Sequence, residues 1–144
     1  MRGSRSTDVR YLALDVGDRR IGLAVGDDAF GITRALPTFR RSRRLAADVE
    51  RISAIVRGEE VGALVIGLPL TLRGEEGPQA LRVRRFASAL EPIGLPIDLY
   101  DERNTTAEAV RRGAQDDDAG AARVLLEDYM SIKTDRPDRR AMQQ

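Results

Sequence analysis

Carboxylates follow two separate apolar segments of this 144-residue chain and open a helical pattern near its end. Asp15 lies near the end of the first segment, Asp101 and Glu102 come directly after another, and Asp118 begins the last amphipathic pattern. Each one alone is most simply a turn former or a helix N-cap. Together they indicate a candidate binding site, because parallel strands end at the same sheet edge, where ligands bind in open α/β sheets.

Carboxylates gathered at one edge repel one another, and a divalent cation offsets that repulsion. Oxygen ligands favour Mg²⁺ or Mn²⁺, and a pair of such ions can activate water and stabilise the leaving oxygen of a phosphodiester. The chain contains no histidine and no cysteine. That composition excludes Ser-His-Asp triads, thiolate nucleophiles, zinc fingers and iron-sulfur clusters, so any catalysis must use carboxylates, Arg, hydroxyls or the single lysine, Lys133.

The elements that must position these residues are predicted from hydrophobic periodicity and turn residues. Five strands are predicted, over residues 9–16, 21–25, about 30–36, 61–67 and 96–100. Helices are predicted over 43–57 with Gly58 as the stop, from Pro78, over 105–113 and from Asp118. The order βββαβαβαα predicts an α/β fold with a mixed five-stranded sheet and helices on both faces. Strands 1, 4 and 5 would be parallel, and strands 2 and 3 would form an antiparallel edge.

The length fits one domain, which we place over residues 9–132 between a disordered N-terminus, residues 1–8, and a polar tail, residues 133–144. No apolar run approaches the roughly 20 residues of a membrane span, and the N-terminus has no signal-peptide pattern. We therefore expect a cytoplasmic protein with no membrane partner.

Charge is unevenly distributed, although 24 basic and 23 acidic residues give a net charge of only +1. Residues 1–57 hold 12 Arg and 7 acids, which gives +5, whereas residues 98–128 hold 9 acids and 4 Arg, which gives −5. A basic region beside an acidic one suits an enzyme that binds phosphates through Arg and cations through carboxylates.

Residues 15–27, DVGDRRIGLAVGD, resemble the opening of the YqgF family of Holliday junction resolvase-like and pre-16S rRNA nuclease proteins. Three further blocks occur in that family's order and spacing. They are Gly67-Leu68-Pro69-Leu70 with Gly74, Asp101-Glu102-Arg103 with Thr105-Thr106, and Asp118 with Ala121-Ala122 and Leu126-Glu127. The resemblance covers about residues 9–130 and implies the ribonuclease H-like fold.

The resemblance also implies a function and a site. It implies a metal-binding catalytic triad of Asp15, Glu102 and Asp118, with Asp101 as an alternative metal ligand and Mg²⁺ or Mn²⁺ in a two-metal site. The expected partner is pre-rRNA, trimmed at the 5′ end of 16S rRNA during ribosome biogenesis, or single-stranded or branched DNA. The expected nucleic-acid contacts are Arg19, Arg20, Arg73, Arg82, Arg85 and Arg103. Because Asp116 and Asp117 precede Asp118, the register of the third ligand stays open.

Other functions remain open at this point. Related resolvases cut four-way DNA junctions in recombination and repair. Asp15-x-Gly17 before a hairpin also resembles the phosphate-binding opening of actin-like ATPases and sugar kinases, although 144 residues supply only one of the two domains that those proteins need. A noncatalytic RNA-binding assembly factor would instead bind phosphates through two arginine clusters, Arg40-Arg41-Arg43-Arg44 and Arg82-Arg84-Arg85.

Overall fold

The structure, a computed structural model, describes residues 8–29, 31–101 and 118–135, with side chains in the last helix described for residues 120–132. The described strands are β1 (Arg10–Val16), β2 (Arg20–Asp27), β3 (Ile32–Arg40), β4 (Ala63–Leu68) and β5 (Ile97–Asp101). They form one sheet in the spatial order β3-β2-β1-β4-β5. β2 is antiparallel to β1 and β3, while β4 is parallel to β1 and β5, so the predicted mixed sheet is confirmed.

Three helices are described: α1 (Leu45–Glu59), α2 (Pro78–Leu90), which continues into a short 3₁₀ turn, and α3 (Asp118–Asp135). Pro78 opens α2, where its missing N–H would have had no partner in the helix. α1 and α2 pack on one face of the sheet and α3 packs on the other. The prediction of helices on both faces is therefore confirmed.

The side chains of β1 alternate between the two cores. Leu12, Leu14 and Val16 pack in the core beneath α1 and α2, whereas Tyr11 and Ala13 pack beneath α3. Asp15 has the same parity as Tyr11 and Ala13, which places it on the α3 face near the carboxyl end of β1. The first predicted ligand thus shares a face with the helix that begins at Asp118.

The edge strand β3 differs from its prediction, since it runs from Ile32 to Arg40 rather than ending near Leu36. Pro37 marks the predicted end because proline cannot donate a ladder hydrogen bond. The pairing of β2 with β3 shifts at this point, from Ile21 opposite Phe39 to Leu23 opposite Leu36. A bulge at an edge accommodates the proline, and the strand resumes beyond it.

The end of α1 also differs from its prediction, because the helix continues through Gly58 to Glu59. Glu60 then adopts a left-handed conformation with φ 58°. The Val61 amide donates to the carbonyl of Val56 at 2.9 Å, and the Val61 side chain is buried. Docking of Val61 into the core therefore decides where the chain turns, two residues beyond the glycine that predicts the stop.

The last helix begins at Asp118, as predicted, and extends to Asp135, three residues beyond the boundary placed at 132. The helix predicted over 105–113, the first seven residues and the tail after 135 lie outside the described residues. None of the described helices is long and apolar enough to cross a membrane.

Candidate active site

Asp15 lies between two glycines in the sheet. Its partner on β2 is Gly22, and the β1–β4 register, continued by one residue from Leu14 opposite Ile66, brings Gly67 to its other side. Gly67 in turn pairs with Tyr100 of β5. Neither flanking position carries a side chain, and the Asp15 side chain is half-buried on the α3 face.

The turn between β1 and β2, residues 17–20, brings arginines next to Asp15. The Gly17 amide donates to the Arg20 carbonyl at 2.9 Å, and a Cβ added to Gly17 would lie 3.0 Å from that oxygen. Only glycine fits this turn without moving the backbone. Arg19 and Arg20 are exposed on it.

An open cleft of about 490 Å³ lies beside this turn. Its described lining combines one strand-end carboxylate with three arginines, and consists of Asp15, Gly17, Asp18, Arg19, Arg20 and Arg40. The arginines can bind phosphate oxygens through two parallel N–H donors, while the carboxylate can bind a cation. The cleft therefore has the two kinds of group that phosphodiester chemistry requires.

Helix α2 adds further basic residues at the border of the cleft. Arg82 Nε lies 3.5 Å from the carboxylate of Asp18, and Arg85, three residues later on the same side of the helix, is exposed. Arg84 instead donates two hydrogen bonds of 2.6 Å to Glu76, which lower the pKa of that carboxyl. The Arg82-Arg84-Arg85 cluster is thus divided, because Arg82 pairs with Asp18 of the cleft lining whereas Arg84 pairs with Glu76.

Arg73 lies at the same sheet edge but apart from the described lining of the cleft. It occupies the loop after β4, where the Gly74 amide donates to the Thr71 carbonyl at 2.8 Å and the Glu75 amide donates to Thr71 Oγ1 at 3.1 Å. Arg73 is exposed at the end of this ordered turn. Its predicted contact with nucleic acid stays a prediction.

The other predicted ligands are only partly described. Asp101 has the parity of Ile97 and Leu99, which pack toward α1 and α2, so it lies on the opposite face from Asp15. Glu102 and Arg103 lie outside the described residues, and α3 begins at Asp118 without a described side chain there. Within the described part of the chain, no group of three acidic side chains could hold a metal ion. The triad therefore stays a prediction, and parity disfavours Asp101 as its member.

Tyrosines hold α3 on the sheet at this face. Tyr129 donates to Asp98 Oδ2 at 2.8 Å and Tyr100 donates to Asp128 Oδ2 at 3.1 Å. The Tyr129 ring also makes edge contacts with Tyr11 and Tyr100, with centroids 5.6 and 5.5 Å apart. These contacts fix the position of the helix that begins at Asp118.

The pKa values of this cluster are shifted upward. Burial, followed by the nearby Asp28 carboxylate, raises the pKa of Tyr11 to about 12. Burial and the hydrogen bond to Asp98 raise the pKa of Tyr129 further still. Both hydroxyls therefore remain protonated donors at neutral pH.

Sequence reasoning missed one pair beside the site, Arg41 and Asp48. Arg41 is grouped by sequence with exposed arginines, yet its side chain turns inward to Asp48 and to the carbonyl of Gly17. Asp48 precedes Ile52 by four residues and therefore falls within the apolar stripe of α1. A charged residue at a core position was the signal available in the sequence.

Comparison with known proteins gives relatives along almost the whole chain. The family model described as RuvX, Holliday junction resolvase, matches residues 9–132. A protein of Roseiflexus sp. (strain RS-1) named "Putative pre-16S rRNA nuclease" is 41% identical over 133 residues, covering 84% of this chain and 93% of that protein. A protein of the same name from Anaeromyxobacter sp. (strain Fw109-5) is 41% identical over 133 residues, covering 85% and 96%.

Solved structures resemble the fold. Thermus thermophilus RuvC in complex with a Holliday junction substrate gives a TM-score of 0.61 at 15% identity, covering 88% of this chain and 96% of that chain. A second T. thermophilus RuvC structure gives 0.51 at 16% identity, covering 87% and 96%. This likeness confirms the predicted ribonuclease H-like fold. With a family match over residues 9–132 and relatives 41% identical along most of their length, the chain belongs to the RuvX (YqgF) Holliday junction resolvase family.

Proposed function

We propose that this protein is a divalent-metal-dependent nuclease that hydrolyses phosphodiester bonds and trims the 5′ end of pre-16S rRNA. The observation that carries the proposal is the position of Asp15, between Gly22 and Gly67 at the carboxyl end of β1. Beside it lies a cleft lined by Arg19, Arg20 and Arg40. A strand-end carboxylate beside guanidinium groups matches the needs of phosphodiester hydrolysis, because the carboxylate can bind a cation and the guanidinium groups can bind phosphate oxygens.

The donor chemistry of the site fits Mg²⁺ or Mn²⁺. The chain has neither histidine nor cysteine, so a metal here must be bound by oxygen. Asp15 would hold it together with Asp118, which begins α3 on the same face, and with Glu102. When bound, the metal would lower the pKa of a coordinated water and stabilise the leaving oxygen.

The arginines of the cleft would bind and orient the substrate. Arg19, Arg20 and Arg40 would contact the phosphates on either side of the scissile bond, and Arg82 and Arg85 would extend that path along α2. Because the turn over residues 17–20 is closed by its own hydrogen bond, these charges are held close to Asp15 before the substrate arrives.

The described aromatic side chains contribute little to this binding. The chain has three Phe and three Tyr, and the five that the structure describes are buried or half-buried. Stacking on splayed bases is therefore not available from them. Recognition would rest on phosphates, which position the substrate without reading its sequence, so the shape of the RNA would select the cleavage site.

The names of the relatives support RNA as the substrate, since the two proteins that are 41% identical are named for pre-16S rRNA. The family description supports branched DNA as the alternative. A cleavage assay separates these substrates. The full-length protein would be incubated with end-labelled RNA spanning the 5′ end of 16S rRNA, single-stranded DNA of equal length and a four-way DNA junction, with Mn²⁺, Mg²⁺ or a chelator.

We expect cleavage of the RNA near the mature 5′ end, in Mn²⁺ or Mg²⁺ and not in chelator. Cleavage confined to the four-way junction would replace rRNA processing with junction resolution. Binding of the RNA without cleavage under every metal condition would contradict the nuclease proposal and favour an assembly factor.

A further inference from the structure

Asp48 is the one buried charged side chain among the described residues, with an exposed fraction of 0%. It lies in the first turn of α1, where Oδ1 accepts from the Ser42 amide at 2.9 Å and Oδ2 accepts from Arg41 Nε at 3.4 Å. A buried carboxylate is costly unless it is paired and hydrogen-bonded. The bonds from Arg41 and Ser42 to Asp48 therefore offset the cost of burying its charge.

Arg41 connects Asp48 to the turn beside Asp15. Its Nη1 donates to the Gly17 carbonyl at 3.0 Å, and its backbone amide donates to the Arg19 carbonyl at 2.7 Å. A single residue thus binds two carbonyls of the turn over residues 17–20. With the bond from the Gly17 amide to the Arg20 carbonyl, these contacts define the path of the whole turn.

The Arg41 side chain is itself confined from a third side. Its guanidinium carbon lies 5.1 Å from the ring centroid of Phe86, which is buried on α2. The planar guanidinium can contact the ring, Asp48 and Gly17 together, whereas a lysine ammonium offers a point charge without this fork. The contact set therefore requires arginine.

The ion pairs of Glu59 differ from the Arg41–Asp48 pair in both burial and position. Glu59 pairs with Arg10 and Arg34 at 3.3 and 2.8 Å, with all three side chains at least partly exposed and away from the described cleft lining. Such pairs contribute little to stability or to a site. The Asp48–Arg41 pair instead ends on a carbonyl of the cleft, at Gly17.

We propose that Arg41 and Asp48 are positioning residues that preorganise the turn over residues 17–20 as a phosphate-binding loop, holding Arg19 and Arg20 toward the nucleic-acid backbone. The inference rests on the proposed function, since it names how that site binds its substrate. Asp15 itself is held by the β1–β2 ladder opposite Gly22, so loosening the turn affects substrate binding more than the chemical step.

The experiment compares Arg41→Lys and Asp48→Asn with Glu59→Gln, which removes a charge from a partly exposed ion pair outside the described lining of the cleft. The first measurement is RNA affinity in chelator, by fluorescence anisotropy at fixed salt, which requires no metal and no turnover. The second is KM and kcat in Mn²⁺. The third is hydrogen exchange of the Gly17 amide by NMR, with core amides of β4 reporting that each variant is folded. Arg41→Ala is avoided because it would leave the Asp48 charge buried without its partner.

We expect Arg41→Lys and Asp48→Asn to weaken RNA affinity and raise KM roughly 10-fold, the cost of ordering about one residue of backbone again on binding. In both variants kcat should stay within about threefold of the wild type, and exchange of the Gly17 amide should be faster. Glu59→Gln should change none of the three measurements.

Unchanged affinity and KM in both variants would overturn the inference, whether or not Gly17 exchanges faster. An equal loss of affinity in Glu59→Gln would also overturn it, because the effect would then be general destabilisation. If the wild-type protein binds RNA but never cleaves it, the nuclease function is contradicted and this inference is not. RNA affinity and hydrogen exchange of the Gly17 amide then still test the role of Arg41 and Asp48.

Discussion

Replacing Tyr129 with Phe is expected to weaken the packing of α3 on the sheet while keeping the aromatic contacts. The lost group is the hydroxyl that donates to Asp98 Oδ2 at 2.8 Å. The edge contacts of the ring with Tyr11 and Tyr100 do not involve that hydroxyl and should persist. The change therefore isolates one polar contact between the helix that begins at Asp118 and the edge strand β5.

The size of the effect follows from the surroundings of the two groups. Hydrogen bonds to charged groups contribute about 1.5–3 kcal/mol, and neutral ones about 0.5–1.5 kcal/mol. Tyr129 is half-buried but Asp98 is exposed and can be solvated by water in the variant. We therefore expect the free energy of unfolding to fall by about 1–1.5 kcal/mol, and Tm to fall by about 3–5 °C.

Urea unfolding of the wild type, Tyr129→Phe, Asp98→Asn and the double variant gives the coupling energy of the pair. The matched control is Arg123→Ala on the same helix, which removes an exposed bond to Glu127 of 3.2 Å and should cost under about 0.5 kcal/mol. A coupling energy near zero, or an equal loss in Arg123→Ala, would refute the view that this hydroxyl helps hold α3.

Three further results are expected. The pKa of Tyr11 is raised to about 12, so its contribution to stability is complete below pH 10, the unfolded pKa, and is lost as the pH rises to 12. Urea unfolding should therefore show the free energy of unfolding falling between pH 10 and 12. The fall should be less steep in Tyr11→Phe. Gly26→Ala should destabilise the fold by about 1–3 kcal/mol, measured by thermal unfolding, because the new Cβ would lie 3.0 Å from Leu126 Cδ2 of α3. Replacing Arg19 and Arg20 together by Ala should reduce the magnitude of the slope of log affinity for single-stranded RNA against log salt concentration by about 1.4, or about 0.7 for each lost phosphate contact. An unchanged slope would show that neither arginine contacts the RNA phosphates.

The arrangement of strands and helices follows closely from the sequence, because periodicity and turn residues act locally. The mixed sheet, with strands 1, 4 and 5 parallel and strands 2 and 3 as an antiparallel edge, was predicted correctly, and so were the helices on both faces. Boundaries were less accurate where tertiary contacts override local preference. The bulge opposite Pro37 lengthens β3, and the docking of Val61 moves the end of α1 past Gly58.

The candidate site was predictable only in part. Asp15 follows from its place at a strand end, and the register supports it by placing Gly22 and Gly67 on its two sides. Asp101 could not be separated from Glu102 by sequence alone, because the face of a strand-end residue depends on a register that only the folded sheet defines. The inward direction of Arg41 was hidden for a similar reason, since its partner Asp48 belongs to another element.

The most direct test of the central claim compares single-turnover cleavage of labelled pre-16S RNA by the wild type, Asp15→Asn and Asp18→Asn. Asp18 is the matched control, because it lines the same cleft and loses the same charge, but it is an exposed turn residue paired with Arg82. If Asp15 holds the catalytic metal, Asp15→Asn should lower the rate constant about 1,000-fold or more, since a bound metal lowers the activation barrier by several kcal/mol. Asp18→Asn should change it less than about threefold. Equal rates in the wild type and Asp15→Asn, or equal losses in the two variants, would contradict the account.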